Sequence, residues 1–284
     1  MSNIVLVHIG SVFYDYINTC VTQCLKYKLN VHLVVSKELH DFIENTDNIV
    51  LSSVEDYITT EFKQFNIPSA DKDFRDGFWM STSLRFFIIS EYAKRNTLTS
   101  FFHIENDNLI YTDLINEGHV LSNSEYNMSV VVDAGPRCVP SIVWFRNAEI
   151  ANDLSNFMLI HTYANDVDSV FHFFNKRSDV INFPIIPNEA NIEVKYLFDS
   201  INYSKYFESF NAIFDACAIG QYIGGVDPRN ISGNTVGFIN ELCIFNPSHF
   251  KYIWENYEPF LIYEDKKIKI NNLHIHSKRL SDFT

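Results

Sequence analysis

Two carboxylates close together follow an apolar run near residue 100. The run Phe101–Ile104 ends abruptly in the polar segment 105–108, which carries Glu105 and Asp107. Carboxylate oxygens suit Mg²⁺ or Mn²⁺, which keep coordination positions open for diphosphate oxygens and water. A divalent ion held there would stabilise the charge that develops on a departing diphosphate. The structural alternative is that a residue of this segment caps a helix over Leu109–Asn116.

A second polar group lies near the C-terminus. His274, His276 and Lys278 alternate with other residues in the segment Leu273–Lys278. In a strand the two imidazoles share one face, and imidazole accepts metals such as Mn²⁺ or Zn²⁺. The lysine is placed to meet a phosphate as a point charge. The alternative is an exposed polar strand face.

Two more polar residues lie in apolar surroundings. Arg85 precedes an aromatic stripe within the helical pattern Phe78–Lys94, and an arginine near a buried face needs an anionic or carbonyl partner. Asp215 lies among small apolar residues, which makes its carboxylate a candidate site residue. The simpler interpretations are a surface salt bridge for Arg85, and a helix from Asp215 as N-cap to Gly224 as C-cap.

The elements that must position these residues alternate in the first half of the chain. Short apolar runs predict strands at Ile4–His8, Val31–Val35, Ile49–Ser52 and Phe101–Ile104. Helical spacing is found in Phe13–Lys28, Glu38–Glu44, Val54–Phe65 and Phe78–Lys94. This order predicts an α/β fold with a parallel sheet between helices. Because ligands bind beyond the carboxyl ends of such strands, we expect His8–Gly10 and Glu105–Asn108 to meet there.

The second half is less regular. Its apolar runs predict strands at Val130–Asp133, Ser141–Phe145, Ile181–Ile186 and Cys243–Phe245, and a hairpin of Phe260–Tyr263 with Ile268–His276. Helices are predicted over Glu149–Tyr163 and Asp215–Ile223. With no repeat or linker, we expect one domain over 1–284. Its two lobes are expected at 1–118 and 119–284.

Composition disfavours several kinds of partner. The net charge is −13 and the pI is about 5.1, whereas general nucleic-acid binding needs a basic surface. Neither a membrane-spanning run nor the basic start of a signal peptide is found. The cysteines form no CxxC pair, which favours free thiols in a reducing compartment; they are Cys20, Cys24, Cys138, Cys217 and Cys243. We therefore expect a cytoplasmic protein of a bacterium or a virus-infected cell.

The order of these motifs resembles a known family. The order is similar to that of GT-A glycosyltransferases. It begins with a short N-terminal strand and continues with Ser83-x-Arg85, Glu105-x-Asp107, a later Asp215 and a C-terminal His-x-x-x-Lys. Within that fold the chain resembles the group of glycogenin and the bacterial lipooligosaccharide galactosyltransferases, and it also resembles glycosyltransferases of giant viruses and some bacteria. The resemblance is one of motif order across most of the chain. It implies a GT-A-like, Rossmann-type mixed sheet flanked by helices, with a smaller acceptor-side lobe.

The resemblance also implies roles. Glu105 and Asp107 correspond to the family's DxD motif. Glutamate has a longer side chain than the aspartate at the first position of that motif, so Glu105 could reach ribose or a water instead of the metal. His274 or His276 would complete the metal site. The other implied roles are donor contacts at His8, Ile9, Gly10, Arg85, Asn106 and Lys278, and a place for Asp215 near the sugar or acceptor. If the enzyme inverts, Asp215 or Asp227 is the candidate catalytic base for the acceptor hydroxyl.

The resulting hypothesis is sugar transfer from a nucleoside diphosphate sugar, UDP-sugar being favoured, to a hydroxyl of a glycan, lipid or protein. It takes Mn²⁺ or Mg²⁺ as its cofactor. The alternatives are a metal-dependent phosphohydrolase, which requires more metal ligands, and a non-catalytic sugar-binding protein on a transferase fold.

Overall fold

A central sheet of seven strands organises the molecule. The computed structural model describes residues 1–68, 74–135, 137–188 and 201–284. In chain order the strands are β1 (Asn3–His8), β2 (Asn30–Val35), β3 (Val50–Ser53), β4 (Thr99–Ile104), β5 (Asn108–Ile110), β6 (Met128–Val130), β7 (Val132–Ala134), β8 (Arg137–Cys138), β9 (Ile142–Asn147), β10 (Val180–Asn182), β11 (Ala212–Ile213), β12 (Lys251–Glu255), β13 (Glu258–Tyr263), β14 (Lys266–Ile270) and β15 (Asn272–His274). The central order is β10-β6-β9-β4-β1-β2-β3.

Helices cover this sheet. They are α1 (Tyr16–Lys26), α2 (Thr60–Gln64), α3 (Phe78–Arg95), α4 (Ile115–Ser122), α5 (Ala148–Ile160), α6 (Asp166–Asn175), α7 (Phe207–Phe210) and α8 (Ala218–Gly224). The long helix α3 packs on both β1 and α5. Its inward face is apolar and buried, as in Phe86 and Ile89, so its burial stabilises the sheet below it.

The strand directions confirm the predicted mixed α/β sheet. β1 runs parallel to β2 and β4, and β2 runs parallel to β3. β9 is antiparallel to both of its neighbours, β4 and β6, while β6 and β10 are parallel. The carboxyl ends of β1 and β4 therefore lie at one edge, next to His8 and Ile104.

A short second pairing carries the C-terminal segment to that edge. β15 pairs antiparallel with β5, and the register places His274 opposite Asn108 and Leu273 opposite Leu109. β5 follows the acidic segment directly, so the strand carrying His274 lies beside Asp107. The hairpin of β13 and β14 was predicted, and it belongs to a separate sheet of order β11-β14-β13-β12.

Some predicted elements were wrong. The helix predicted over Val54–Phe65 is two pieces, because Ile58 is extended and Thr59 caps α2 by accepting from the Phe62 N–H at 3.2 Å. Cys243–Phe245 forms bends instead of a strand.

Other predicted spans were shortened or split, among them Val130–Asp133, which is divided between β6 and β7. The helical alternative over Leu109–Asn116 is also wrong, since its first residues form β5. Ile268–His276 is divided between β14 and β15, and the strand part of Ile181–Ile186 ends at Asn182. Strand pairing outweighs local helical spacing where a partner strand is available.

Candidate metal centre and ligand cavity

Three side chains converge where β4 ends. The imidazole Nε2 of His274 lies 3.1 Å from Oε2 of Glu105 and 3.2 Å from Oδ2 of Asp107. One ligand atom from each of these residues falls within 4.8 Å of the others, a spacing that a single metal ion could bridge. The pairing of β5 with β15 creates this group from residues far apart in the chain.

The orientation of His274 suits a ligand. Its Nδ1 lies 2.6 Å from the carbonyl oxygen of Ala216, which can only accept, so Nδ1 carries a proton and Nε2 faces the carboxylates. Burial lowers the pKa of His274, but the charges of Asp107 and Glu105 outweigh it and raise the pKa to about 10. The two carboxylates therefore favour the protonated form of this imidazole.

Asp107 faces two cations. Burial raises its pKa, but Lys278 and His274 outweigh burial, and the pKa lies well below its ordinary value. The Lys278 ammonium contacts Oδ2, the oxygen that faces His274. Asp107 is thus held in the charged form that binds a cation.

Glu105 is held from the other side by Arg85. The guanidinium donates to Oε1 of Glu105 at 2.6 Å and to Oδ2 of Asp166 at 2.6 Å. One oxygen of Glu105 is occupied, and the other is left facing His274. Arg85 is only 6% exposed, so the sequence-based alternative of a surface salt bridge does not describe it.

Asp215 lies behind the centre. Its Oδ1 accepts from the Ile219 N–H at 2.9 Å, and its Oδ2 accepts from the N–H groups of Gly220 and His274 at 2.8 and 3.1 Å. Burial raises the pKa of Asp215 to about 6, although these three bonds act in the opposite direction. This carboxylate fixes α8 to β15 and is not one of the described residues that line the cavity.

His276 lies just past the end of β15. Its Nδ1 is 2.8 Å from the Gln221 amide nitrogen, which donates to it, and its ring meets that of His274 at 70° with centroids 4.4 Å apart. Burial and the neighbouring His274 hold the pKa of His276 well below its ordinary value. The structure therefore brings both imidazoles to one place, and within the described residues the three-ligand group contains His274.

A cavity of about 900 Å³ opens beside this centre, a volume within the range of small-molecule sites. The sequence-selected residues on its wall are His8, Ile9, Gly10, Arg85, Glu105, Asn106, Asp107, Asp227, His274, His276 and Lys278. The expected meeting of His8–Gly10 with the acidic segment is thus present in the fold.

The β1 end of the cavity is polar. His8 donates through Nε2 to the carbonyl of Val12 at 2.9 Å. Asn106 donates to the carbonyl of Val7 at 2.9 Å, and its buried Oδ1 has no partner among the described residues. A buried acceptor without a donor is costly, so this oxygen is available to a ligand's N–H or O–H.

Asp227 is bound by two arginines. Arg75 donates to its Oδ2 at 2.6 Å, and Arg229 donates to the same oxygen at 2.7 Å. Burial raises the pKa of Asp227, but these guanidinium groups outweigh it and hold the pKa below its usual range. A carboxylate held in this way is a weak proton acceptor.

Sequence reasoning missed several wall residues. Asp166 was overlooked because it follows the Asn165 cap at the start of α6, where acidic residues are common. Gln221 lies within the predicted helix Asp215–Ile223 and received no role there. Tyr16 and Arg75 gave no signal. Only contacts across the sheet edge reveal these four.

No family model matches the chain, and no curated protein matches its sequence. The glycosyltransferase GlyE of Streptococcus pneumoniae TIGR4 is similar in structure, with a TM-score of 0.41 at 10% identity over 64% of this chain and 45% of that chain. Mouse xyloside xylosyltransferase 1 is similar with a TM-score of 0.43 at 8% identity, over 75% of this chain and 94% of that chain. A 4-diphosphocytidyl-2C-methyl-D-erythritol synthase from Anaerococcus prevotii is similar with a TM-score of 0.39 at 12% identity, over 72% of this chain and 95% of that chain. The chain spans less than half the length of GlyE, and its function is inferred from its own site.

Two further findings concern expectations from composition. All five cysteines are free and buried, and Cys20 and Cys24 lie together on the buried face of α1. In the part of the chain that the structure describes, no helix combines the length and the apolar character needed to cross a membrane.

Proposed function

We propose that this protein is a metal-dependent glycosyltransferase that moves a sugar from a nucleoside diphosphate sugar to a hydroxyl acceptor. The observation that carries the proposal is the group of Glu105, Asp107 and His274, whose ligand atoms lie within 4.8 Å of one another at the wall of a 900 Å³ cavity. Lys278 stands at the same wall, next to Asp107. This combination suits a cation that in turn holds a diphosphate.

The donor set fits a single hard or borderline ion. Two carboxylate oxygens and one imidazole nitrogen leave coordination positions free, and the nitrogen favours Mn²⁺ over Mg²⁺. When bound, such an ion stabilises the negative charge of a departing diphosphate. Arg85 holds Glu105 by one oxygen, and Ala216 holds the His274 ring, so both ligands are oriented before any ion arrives.

The donor nucleotide is assigned to the β1 end of the cavity. His8, Ile9 and Gly10 form this end. The Oδ1 of Asn106, which has no partner among the described residues, is assigned as an acceptor for a base or ribose donor. Lys278 is assigned to the diphosphate. We assign the nucleotide-binding half to 1–118 and the acceptor half, with the metal-binding C-terminal segment, to 119–284. A UDP-sugar is the favoured donor.

Two carboxylates proposed as catalytic receive different roles from their contacts. Asp215 accepts three backbone N–H groups, so we assign it to positioning His274. Asp227 orients Arg75 and Arg229 on the cavity wall, where two guanidinium groups share one carboxylate. Neither carboxylate is placed as a free general base, so the proton of the attacking acceptor hydroxyl is assigned to an oxygen of the departing diphosphate.

The test is a panel of nucleoside diphosphate sugars with Mn²⁺, read by thermal shift and by donor hydrolysis. At least one donor is expected to raise the melting temperature only when Mn²⁺ is present. Asp107→Asn should remove that shift, and the exposed Asp41→Asn should keep it. His274→Asn is a second variant, because its amide nitrogen can still donate to Ala216 while the Nε2 ligand is lost.

Other outcomes would reject the proposal. Unchanged metal-dependent donor binding in Asp107→Asn and His274→Asn would place the metal elsewhere. Phosphomonoester hydrolysis without any sugar donor would favour a phosphohydrolase, whereas donor binding without transfer or hydrolysis would favour a binding protein.

A further inference from the structure

Lys278 contacts the oxygen of Asp107 that faces His274, its partner in the candidate metal site. Its ammonium contacts Oδ2 of Asp107, and that oxygen also lies 3.2 Å from Nε2 of His274. The candidate metal ligand therefore already has a cation bound to it. This cation is a side chain of the protein and not a bound ion.

The geometry points to an exchange: the Lys278 ammonium holds the metal's place on Asp107 and is drawn away by the ligand's diphosphate, so that metal and diphosphate bind together. This inference rests on the proposed function, and it adds how that site is regulated. In the free protein the lysine competes with the metal. In the complex the same lysine contacts phosphate oxygens, and Asp107 is free to bind the ion.

Electrostatics favours the exchange. An ammonium and a divalent ion on the same carboxylate oxygen would lie only a few ångströms apart, and like charges at that distance repel strongly away from bulk water. The side chain of Asp107 is 9% exposed, so solvent ions screen this repulsion poorly. Binding of the metal must therefore displace the Lys278 ammonium, or the repulsion between the two cations weakens metal binding.

The Lys278 side chain is held by fewer ion pairs than that of Arg85. The Lys278 backbone is fixed by its N–H bond to Ile275 at 3.0 Å, but the ammonium sits on a flexible four-carbon stem. Its side chain is 25% exposed, and Nζ lies 5.7 Å from the centroid of the Tyr16 ring on the cavity wall. Arg85 is clamped by Glu105 and Asp166 and offers no comparable freedom.

Linkage fixes the direction of each effect. If diphosphate removes a competitor of the metal, it raises the metal affinity, and the metal raises the diphosphate affinity by the same factor. Replacing Lys278 by a neutral residue removes the competitor in advance. Binding of Mn²⁺ alone should then become tighter, while the diphosphate loses its lysine contact and part of the coupling.

The experiment measures Mn²⁺ binding by electron paramagnetic resonance for the full chain, alone and with UDP. Lys278→Met and Lys278→Gln are expected to bind Mn²⁺ alone about tenfold more tightly than the parent, within the usual range of coupling factors. The factor by which UDP raises Mn²⁺ affinity should fall by a similar amount. Lys205→Met is the matched control, because Lys205 also lies over a tyrosine ring but is absent from the cavity wall.

Each outcome has a definite reading. Mn²⁺ affinity that is unchanged or weaker in both lysine variants, with native melting temperatures, overturns the exchange. Tighter Mn²⁺ binding with an unchanged UDP effect also overturns it, since the diphosphate would not be acting through Lys278. Asp107→Asn separates the two proposals: if it leaves Mn²⁺ binding intact, the metal site itself is wrong, whatever Lys278 does.

Discussion

The carboxylate of Asp215 accepts the backbone N–H of His274, with 3.1 Å between Oδ2 and N. The same carboxylate accepts the N–H groups of Ile219 and Gly220 in the first turn of α8. One buried side chain therefore joins the strand that carries the imidazole to the helix behind it. The position of the candidate ligand depends on this link.

Asp215→Ala is expected to destabilise the fold by about 3 kcal/mol or more, because it leaves three N–H groups without their acceptor. Asp215→Asn should cost less, since one amide oxygen remains. Urea unfolding measures both. If Asp215 were instead the base that accepts the acceptor's proton, Asp215→Asn would abolish transfer at unchanged stability.

Gly220 is required where α8 passes His274. A Cβ at this position would overlap the carbonyl of His274 and approach the Asp215 carboxylate. Gly220→Ala should therefore lower the free energy of unfolding by about 2 kcal/mol, as overpacking does, and should weaken Mn²⁺ binding. Gly118→Ala is the matched control, because a Cβ there makes only an ordinary contact with Phe102 and should be neutral or stabilising. Equal effects of the two substitutions would contradict the close approach.

Asp166 contacts the candidate metal ligand Glu105 indirectly, through Arg85, which donates to both carboxylates. Asp166→Asn removes the second anchor of that guanidinium, so Glu105 should be held less firmly. Loss of such an outer contact typically weakens metal affinity by about tenfold or more. Titration with Mn²⁺ checks this, and Glu91→Gln, which breaks a carboxylate–arginine pair of α3 away from the cavity, should leave the affinity unchanged. A Mn²⁺ affinity that Asp166→Asn does not change would remove this role.

Asp179 gives a pH dependence away from the site. Hydrogen bonds from Arg177 have the largest effect and lower the pKa of Asp179. Burial raises this pKa, and a hydrogen bond from Asn127 lowers it further. The net result is a pKa of about 2 instead of the ordinary 3.8. Because the folded pKa is depressed, the unfolded chain binds more protons in acid. The stabilisation is present above about pH 4 and is lost as the pH falls through 2. For a partly exposed pair we expect about 1 kcal/mol.

The measurement is urea unfolding of the parent and of Asp179→Asn between pH 2 and 7. The difference in free energy of unfolding should be largest near pH 5 to 7 and should shrink towards pH 2. A difference that stays constant over this range would show that the Asp179 carboxylate charge contributes nothing.

The sequence by itself determined the alternation of strands and helices in the first half, and the delivery of Glu105 and Asp107 to a strand's carboxyl end. These features follow from local hydrophobic periodicity, which each segment carries independently of the rest. The long helix α3 was predictable for the same reason. The helix α8 runs through Gly224, the expected C-cap, and its C-cap is Gly225, which has a φ of +82°.

The tertiary structure decided which histidine faces the carboxylates, which acid holds Arg85, and which cation rests on Asp107. Each depends on the pairing of β5 with β15 or on packing between α3 and α6, contacts between residues far apart in the chain. Local spacing cannot encode such a register, because the same short strand satisfies its hydrogen bonds with many partners. Only burial of the whole sheet edge selects one of them.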